Sequence, residues 1–396
     1  MKCNKSLRWG LFVGLLIVGL PEWQGAQSVK GGDDPRQAAI MLEQQGEAAK
    51  AEAAWEAILK AHPQDAEANA HLGLLEARQE HYDAAVASYR KALALSPAMP
   101  GLRLNLGLAL FKAGRMKEAA STFLPLVDTL PANSEEARRI TTLIGLARYG
   151  AGDYAGAVPF LKKAVAADSQ NLPFRLTLAQ SCLWSKQYQC VLDVYHEILN
   201  LNENSAEADM LAGQALDEMK DRPGAIEQFR AAVQADPKMP DVHFGLGYLL
   251  WAQLKFDEAA KELQAELTNN PNHPQALTYL ADCHIQLNNP EAAVPLLKKA
   301  VSLDQKIELA HVDLGVLYAD AGKNDDALRE LKRAEQLDPT DQNVHWRLGR
   351  FYKSIGKKAE AEVEFQKTRS LQKASDKSIF DKLHSAQEKH ENASAP

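Results

Sequence analysis

With 396 residues, 46% of them hydrophobic, and a formal charge of −7, the chain is long enough for two or three globular domains. Its acidic balance argues against nucleic acid as a partner, because phosphate contacts need clustered Lys and Arg. Four cysteines without a CxxC pair exclude a zinc ribbon or a dithiol redox motif.

The first element is an export signal. Lys2, Lys5 and Arg8 precede an unbroken apolar run from Trp9 to Leu20, followed by Pro21 and a polar stretch containing Ala26, Gln27 and Ser28. This pattern predicts a signal peptide over residues 1–28, cleaved after about Ser28. A retained membrane anchor is the alternative, but the run would reach only about 18 Å as a helix against a hydrocarbon core of about 30 Å. Cys3 lies before the run, where it cannot serve as a lipid-bearing cysteine. Cleavage removes three basic residues and Glu22, moving the charge from −7 to −9. A periplasmic or secreted location is expected, with membrane contact only if the segment is retained.

From residue 32 the chain repeats. Starts at 32, 66, 100, 138, 172, 206, 240, 274, 308 and 342 lie 34 residues apart, except for one step of 38 after Pro131. Position 8 of every repeat is small, from Ala39, Gly73 and Gly107 to Gly315 and Gly349, and position 20 is alanine except at Val191. Position 24 is always large and apolar, as in Trp55, Tyr89, Phe123 and Phe229. Two helices approach closely only where small residues meet, and a bulky residue one turn on fills the space beside the crossing. Position 32 is proline in six repeats, including Pro63, Pro97 and Pro339; lacking an amide donor, it closes the second helix of each pair. Such a period means stacked hairpins sharing one continuous core, so a single elongated domain is expected in place of several globular ones.

These residues resemble the tetratricopeptide repeat family over 32–375. Leu72-Gly73, Leu106-Gly107, Leu246-Gly247, Leu314-Gly315 and Leu348-Gly349 are similar to its Leu-Gly pair, and Gly114, Gly152, Gly322 and Gly356 sit at its inter-helix turn. The resemblance implies an all-α fold, a right-handed α-solenoid of about ten helix hairpins. Two departures stand out. The family's tryptophan at position 4 is replaced by Asn69, Arg103, His243, His311 and His345, and repeats 5 and 8 lack Gly or Pro at their junctions. The family's clamp for acidic chaperone tails, which uses Lys at position 5 and Asn at position 9, has no counterpart here.

By the same resemblance, the first helix of each repeat lines a concave groove through positions 2, 5, 9, 12 and 13. Those positions place Leu108, Phe111, Tyr149 and Trp184 in repeats 3 to 5, and Met210, Phe244, Tyr248 and Trp251 in repeats 6 and 7, with Tyr279 one position away in repeat 8. An apolar, aromatic run where water alone would favour polar side chains predicts a covered surface that receives a peptide segment. The competing reading, that these side chains pack against the next repeat, is decided by exposure. In repeat 10, Trp346 joins the groove set, and Arg347 and Arg350, three apart on one helix face, form a candidate anion contact. A solvated face balanced by Glu360, Glu362 and Glu364 is the alternative there.

Cys182 and Cys190 lie at similar distances from the turn of repeat 5, as a candidate disulfide or as two packed thiols. No nucleophile, phosphate-cradle or metal-binding motif is present, so no catalytic, cofactor or metal site is expected. Asp376 is expected to cap a helix over 376–390 whose Ile379, Phe380 and Leu383 cover repeat 10, followed by a disordered tail over 391–396. The functional expectation is a non-enzymatic exported scaffold binding a segment of a partner protein, possible roles being in cell-envelope assembly. An envelope carbohydrate- or lipid-handling factor is the alternative.

Overall fold

A computed structural model describes residues 34–131, 134–202 and 204–393, with side chains described as far as residue 376. The expected signal peptide lies outside the described residues. Among the described residues there are twenty helices and no strand, and no helix is long and apolar enough to cross a membrane.

The chain divides into two compact units between Met219 and Lys220. The first unit holds α1 (Pro35–Gln44), α2 (Ala48–Ala61), α3 (Ala66–Arg78), α4 (Tyr82–Leu95), α5 (Leu102–Lys112), α6 (Met116–Val127), α7 (Glu135–Gly150), α8 (Tyr154–Ala167), α9 (Leu172–Trp184), α10 (Tyr188–Leu199) and α11 (Ala206–Glu218). The second holds α12 (Arg222–Ala235), α13 (Val242–Ala252), α14 (Phe256–Asn269), α15 (Pro274–Gln286), α16 (Pro290–Leu303), α17 (Glu308–Asp320), α18 (Asn324–Leu337), α19 (Gln342–Ser354) and α20 (Lys358–Ala393). Odd-numbered helices are the first of each repeat and even-numbered ones the second.

The small residues at position 8 do what the period implies. A Cβ on Gly107 would stand 2.4 Å from Phe123, one on Gly349 2.6 Å from Phe365, and one on Gly315 2.6 Å from Leu331. In these three hairpins the position-24 side chain therefore packs on the backbone of its own first helix, whereas Phe229 of repeat 6 meets the next repeat, 2.2 Å from where a Cβ on Gly245 would stand. At position 15 all ten turns take a left-handed backbone, with glycine in five and Glu80, Lys186, Lys220, Leu254 and Asn288 in the others. Repeats 5 and 8, which lack a junction glycine, thus make the same turn with Lys186 and Asn288. First helices also touch one another, α3 against α5 and α9 against α11 in the first unit, and α13, α15, α17 and α19 in sequence in the second, where their side chains form a continuous face.

Position 4, where the family's tryptophan is missing, carries a polar tie. His243, His311 and His345 each place Nδ1 at 2.6, 2.7 and 2.7 Å from Glu262, Glu330 and Glu364. The Nε2 atoms of His311 and His345 face the carbonyls of Gln305 and Pro339, six residues earlier. Arg175 does the same work in repeat 5, bonding Glu197 and the carbonyl of Ser169. One side chain thereby joins the preceding loop, the first helix and the second, a role that an apolar ring fills by bulk alone.

After the four extra residues near Pro131, α7 begins three residues ahead of its repeat, capped by the Ser134 hydroxyl accepting from the Ala137 amide at 3.1 Å. Two expectations are corrected here. No separate helix starts at Asp376, because α20 runs unbroken from Lys358 to Ala393; the segment contains neither Gly nor Pro to stop it. The same helix carries residues 391–393, placed in the disordered tail by the sequence, while 394–396 lie outside the described residues.

Candidate functional site

Aromatic side chains gather at the first-helix face of each unit. In the first unit, Tyr149 of α7 stacks on Trp184 of α9 with centroids 5.8 Å apart and planes 16° apart, and Tyr154 of α8 meets Trp184 at 4.5 Å. The Tyr149 hydroxyl donates to Gln180 Oε1 at 2.5 Å, and Gln180 Nε2 donates to Glu207 at 3.0 Å. Burial pushes the Tyr149 phenol up to about 12 and raises the Glu207 carboxyl. Trp184 is 44% exposed, so its outer ring face is open to a guest.

In the second unit, Tyr279 of α15 packs edge-on against Trp251 of α13 at 4.8 Å and against Tyr248 at 5.4 Å. Trp251 Nε1 donates to Asp282 Oδ2 at 2.5 Å, and Gln286 Nε2 donates to Asp282 Oδ1 at 3.2 Å. The two units share a rule: an aromatic at position 12 bonds the polar residue at position 9 of the next repeat, 31 residues on. Such a bond fixes a ring that would otherwise have two free torsions, so less ordering entropy is lost when a ligand arrives.

The second unit also holds two carboxylates that the sequence reading did not single out. Glu308 Oε1 and Asp313 Oδ2, both on α17, are buried without a hydrogen-bond partner. Burial pushes the Glu308 carboxyl up to about 7, aided by the negative charges of Asp341 and Asp338. Asp313 is held well above the carboxylate range by burial and then by Asp282, with Arg347 opposing. Neither position belongs to the expected groove set, and nothing in the spacing marks them. Because the folded-state value exceeds the ordinary one, this ionisation weakens the fold as pH rises from about 4.5 to about 7. Glu308→Gln is therefore expected to stabilise the chain by about 1–2 kcal/mol at pH 8, after allowance for solvent screening, and to change nothing at pH 4. Urea unfolding at the two pH values measures it.

Of the sequence-predicted groove residues, Leu108, Tyr149, Met210, Tyr248, Trp251 and Tyr279 are half-buried, and Trp184 and Trp346 are exposed. Phe111 and Phe244, each 6% exposed, are core residues and not groove residues. Phe111 belongs to the cluster around Leu110 and Phe123, and Phe244 lies beneath His273 and Tyr279, at 4.6 and 6.1 Å. Arg347 and Arg350 are brought together on Trp346, with guanidinium carbons 5.1 and 4.9 Å from its ring. Of the three glutamates expected to balance them, Glu364 is engaged with His345 and Glu362 with Arg369. Cys182 and Cys190 form a disulfide joining the last turn of α9 to the first of α10, while Cys283 is a buried free thiol pushed up to about 12 by burial.

Two clusters have metal-like spacing, Asp241 with Glu266 and His273, and Glu335 with His345 and Glu364. Their donors are already used. His273 Nδ1 accepts from the Ala276 amide, which puts the ring proton on Nε2 toward Asp241, and Glu266 accepts from the Phe244 amide. In the second cluster Lys332 and Lys367 supply the positive charge between the two glutamates. Both clusters tie helices together.

Family models described as tetratricopeptide repeat match residues 37–100, 210–266 and 244–306, and residues 76–144, 148–215 and 318–375. Among curated proteins, the anaphase-promoting complex subunit CDC16 of Saccharomyces cerevisiae is 24% identical over 239 residues, which is 60% of this chain and 24% of that protein. The chain thus spans about a quarter of that relative's length. Among solved structures, pilF of Pseudomonas aeruginosa matches with 20% identity and a TM-score of 0.48, covering 53% of this chain and 96% of that one. YrrB, described as a TPR protein with an unusual peptide-binding site, matches with 18% identity and a TM-score of 0.39 over 48% of this chain and 97% of that one.

Proposed function

Because the chain belongs to the tetratricopeptide repeat family, we propose that it is a non-enzymatic scaffold holding an extended segment of a partner protein along its first-helix face. We place it outside the cytoplasm, in cell-envelope assembly, on the strength of the basic and apolar N-terminal segment. The observation that carries the peptide reading is the recurrence of an aromatic anchored by the next repeat, Tyr149 on Gln180 and Trp251 on Asp282. A structural core needs bulk but no such tethering, whereas a recognition surface gains affinity from rings already held in place.

A photo-crosslinking amino acid at Trp184 or Tyr248 tests this directly, with Lys162 and Lys298 on the second helices as controls. The first pair is expected to capture a protein segment and the second pair none; equal capture from all four positions would contradict the reading. The exposed Trp346 between two arginines favours, as a second reading, an anionic glycan or lipid headgroup at repeat 10. Crosslinks confined to Trp346 and competed by polysaccharide would support that alternative.

A further inference from the structure

One basic patch of the second unit is left open to solvent. On α19, Asn343, Trp346, Arg347, Arg350 and Lys353 follow at helical spacing and share one face; all are exposed except the half-buried Arg347. Both guanidinium groups are held over the Trp346 ring, 5.1 and 4.9 Å from its centroid. Stacking orders a guanidinium but uses none of its N–H donors. Arg347 commits only Nε, which donates to Asn343 Oδ1 at 3.3 Å, and among the described residues Arg350 has Trp346 as its contact. The ion pairs of this repeat join other groups, Glu364 with His345 and Lys367, and Glu362 with Arg369. Asp313 of α17 feels the charge of Arg347, but burial keeps that carboxyl largely uncharged, so it does little to neutralise the arginine.

We propose that Arg347 and Arg350 grip an Asp or Glu side chain of the peptide segment whose apolar side chain rests on Trp251 and Tyr279. The assignment rests on the peptide reading above and specifies its chemistry. A carboxylate is planar with two acceptor oxygens, and the edge of a guanidinium matches it with two parallel N–H···O bonds. A lone carboxylate fits better than a sulfated glycan or an anionic lipid layer. The chain's charge of −7 repels an extended array of negative charge, whereas a single acid meets chiefly the local field of Arg347, Arg350 and Lys353. Continuity of the face adds a spacing rule. Because α13, α15, α17 and α19 touch in sequence and packed helix axes lie about 8–10 Å apart, the rings between α13 and α15 stand roughly 20–25 Å from α19. About six to eight extended residues cover that distance at about 3.3 Å each. The acid should therefore follow or precede the apolar anchor by that number of residues.

The test begins by panning a random library of peptides about twelve residues long on the immobilised full-length chain, a segment able to cross several repeats when extended. The selected synthetic peptide is then measured by fluorescence anisotropy with its acid intact and with the matching amide, Gln or Asn, in its place, against the wild type and against Arg347→Gln/Arg350→Gln. The selected sequences are expected to share an acid about six to eight residues from an apolar side chain. The amide should weaken binding to the wild type about tenfold or more and should make little difference in the double variant, the signature of direct coupling. Thermal melting confirms that the variant folds, and the amide comparison on the wild type needs no variant at all. If the peptides bind but share no acid, or if the amide costs as much in the variant as in the wild type, the assignment is overturned while the peptide reading survives. Heparin binding that the variant abolishes, with peptide affinity unchanged, also overturns it and gives the patch to an anionic glycan. If no peptide is selected at all, both readings fall.

Discussion

Gly107→Val is expected to unfold the first unit's hairpin α5–α6 at denaturant concentrations that leave the parent chain intact. Replacing a mid-helix glycine by alanine would ordinarily gain up to about 1 kcal/mol of helix propensity. Here even the first added carbon would meet Phe123 at 2.4 Å, and Phe123 is fully buried, so the ring has nowhere to go. Overpacking of a tight core costs about 1–3 kcal/mol for a small intrusion. Valine, β-branched and larger, should therefore lose about 3 kcal/mol net, readable as a lower urea midpoint. The loss should spread to neighbouring repeats, because each hairpin is stabilised by the next. Phe123→Leu should partly rescue Gly107→Ala, since repeat 8 pairs Ala281 with Leu297 at the same two positions, both fully buried. Equal loss with and without Phe123→Leu would show that the contact is not the cause.

The second large effect is expected at the far end of the chain. Glu364 is 4% exposed and His345 3%, and the two meet at 2.7 Å. The second ring nitrogen of His345 faces the carbonyl of Pro339 at 2.9 Å, and Lys332 and Lys367 also reach Glu364. Glu364→Ala removes the shared acceptor and leaves a buried imidazole with an unused donor. Breaking a buried pair from one side costs about 3–5 kcal/mol; with Glu335 still holding both lysines, about 3 is expected. Because the pair is enclosed, 0.5 M salt should alter the loss little, which a salt-screened surface pair would not survive. A variant as stable as the parent would show that the tie at position 4 is ornamental.

The fold was legible because its determinants are local and periodic. Small residues at position 8, alanine at position 20 and the ring at position 24 each have one packing solution at that spacing, and the structure realises it at Gly107 and Phe123 as at Gly349 and Phe365. The helix over 358–393 was less legible because a single Asp at 376 resembles a cap, although nothing beside it halts the helix. The groove was legible only as a stripe. Position 5 is exposed at Trp346 and buried at Phe244, a difference set by His273 and Tyr279 of the following helix, and period alone does not carry that information. The ties were in the sequence but unread: His and Glu recur 19 residues apart at 243 and 262, 311 and 330, and 345 and 364. The orphan carboxylates at Glu308 and Asp313 left no signal, since their isolation depends on what the neighbouring helices withhold.

The most direct measurement is the structure of the full-length chain bound to a peptide selected for affinity. The peptide should lie across α13, α15 and α17, with a side chain over Trp251 and Tyr279. A peptide seated on the second helices, with those rings left as they stand in the free chain, would contradict the account.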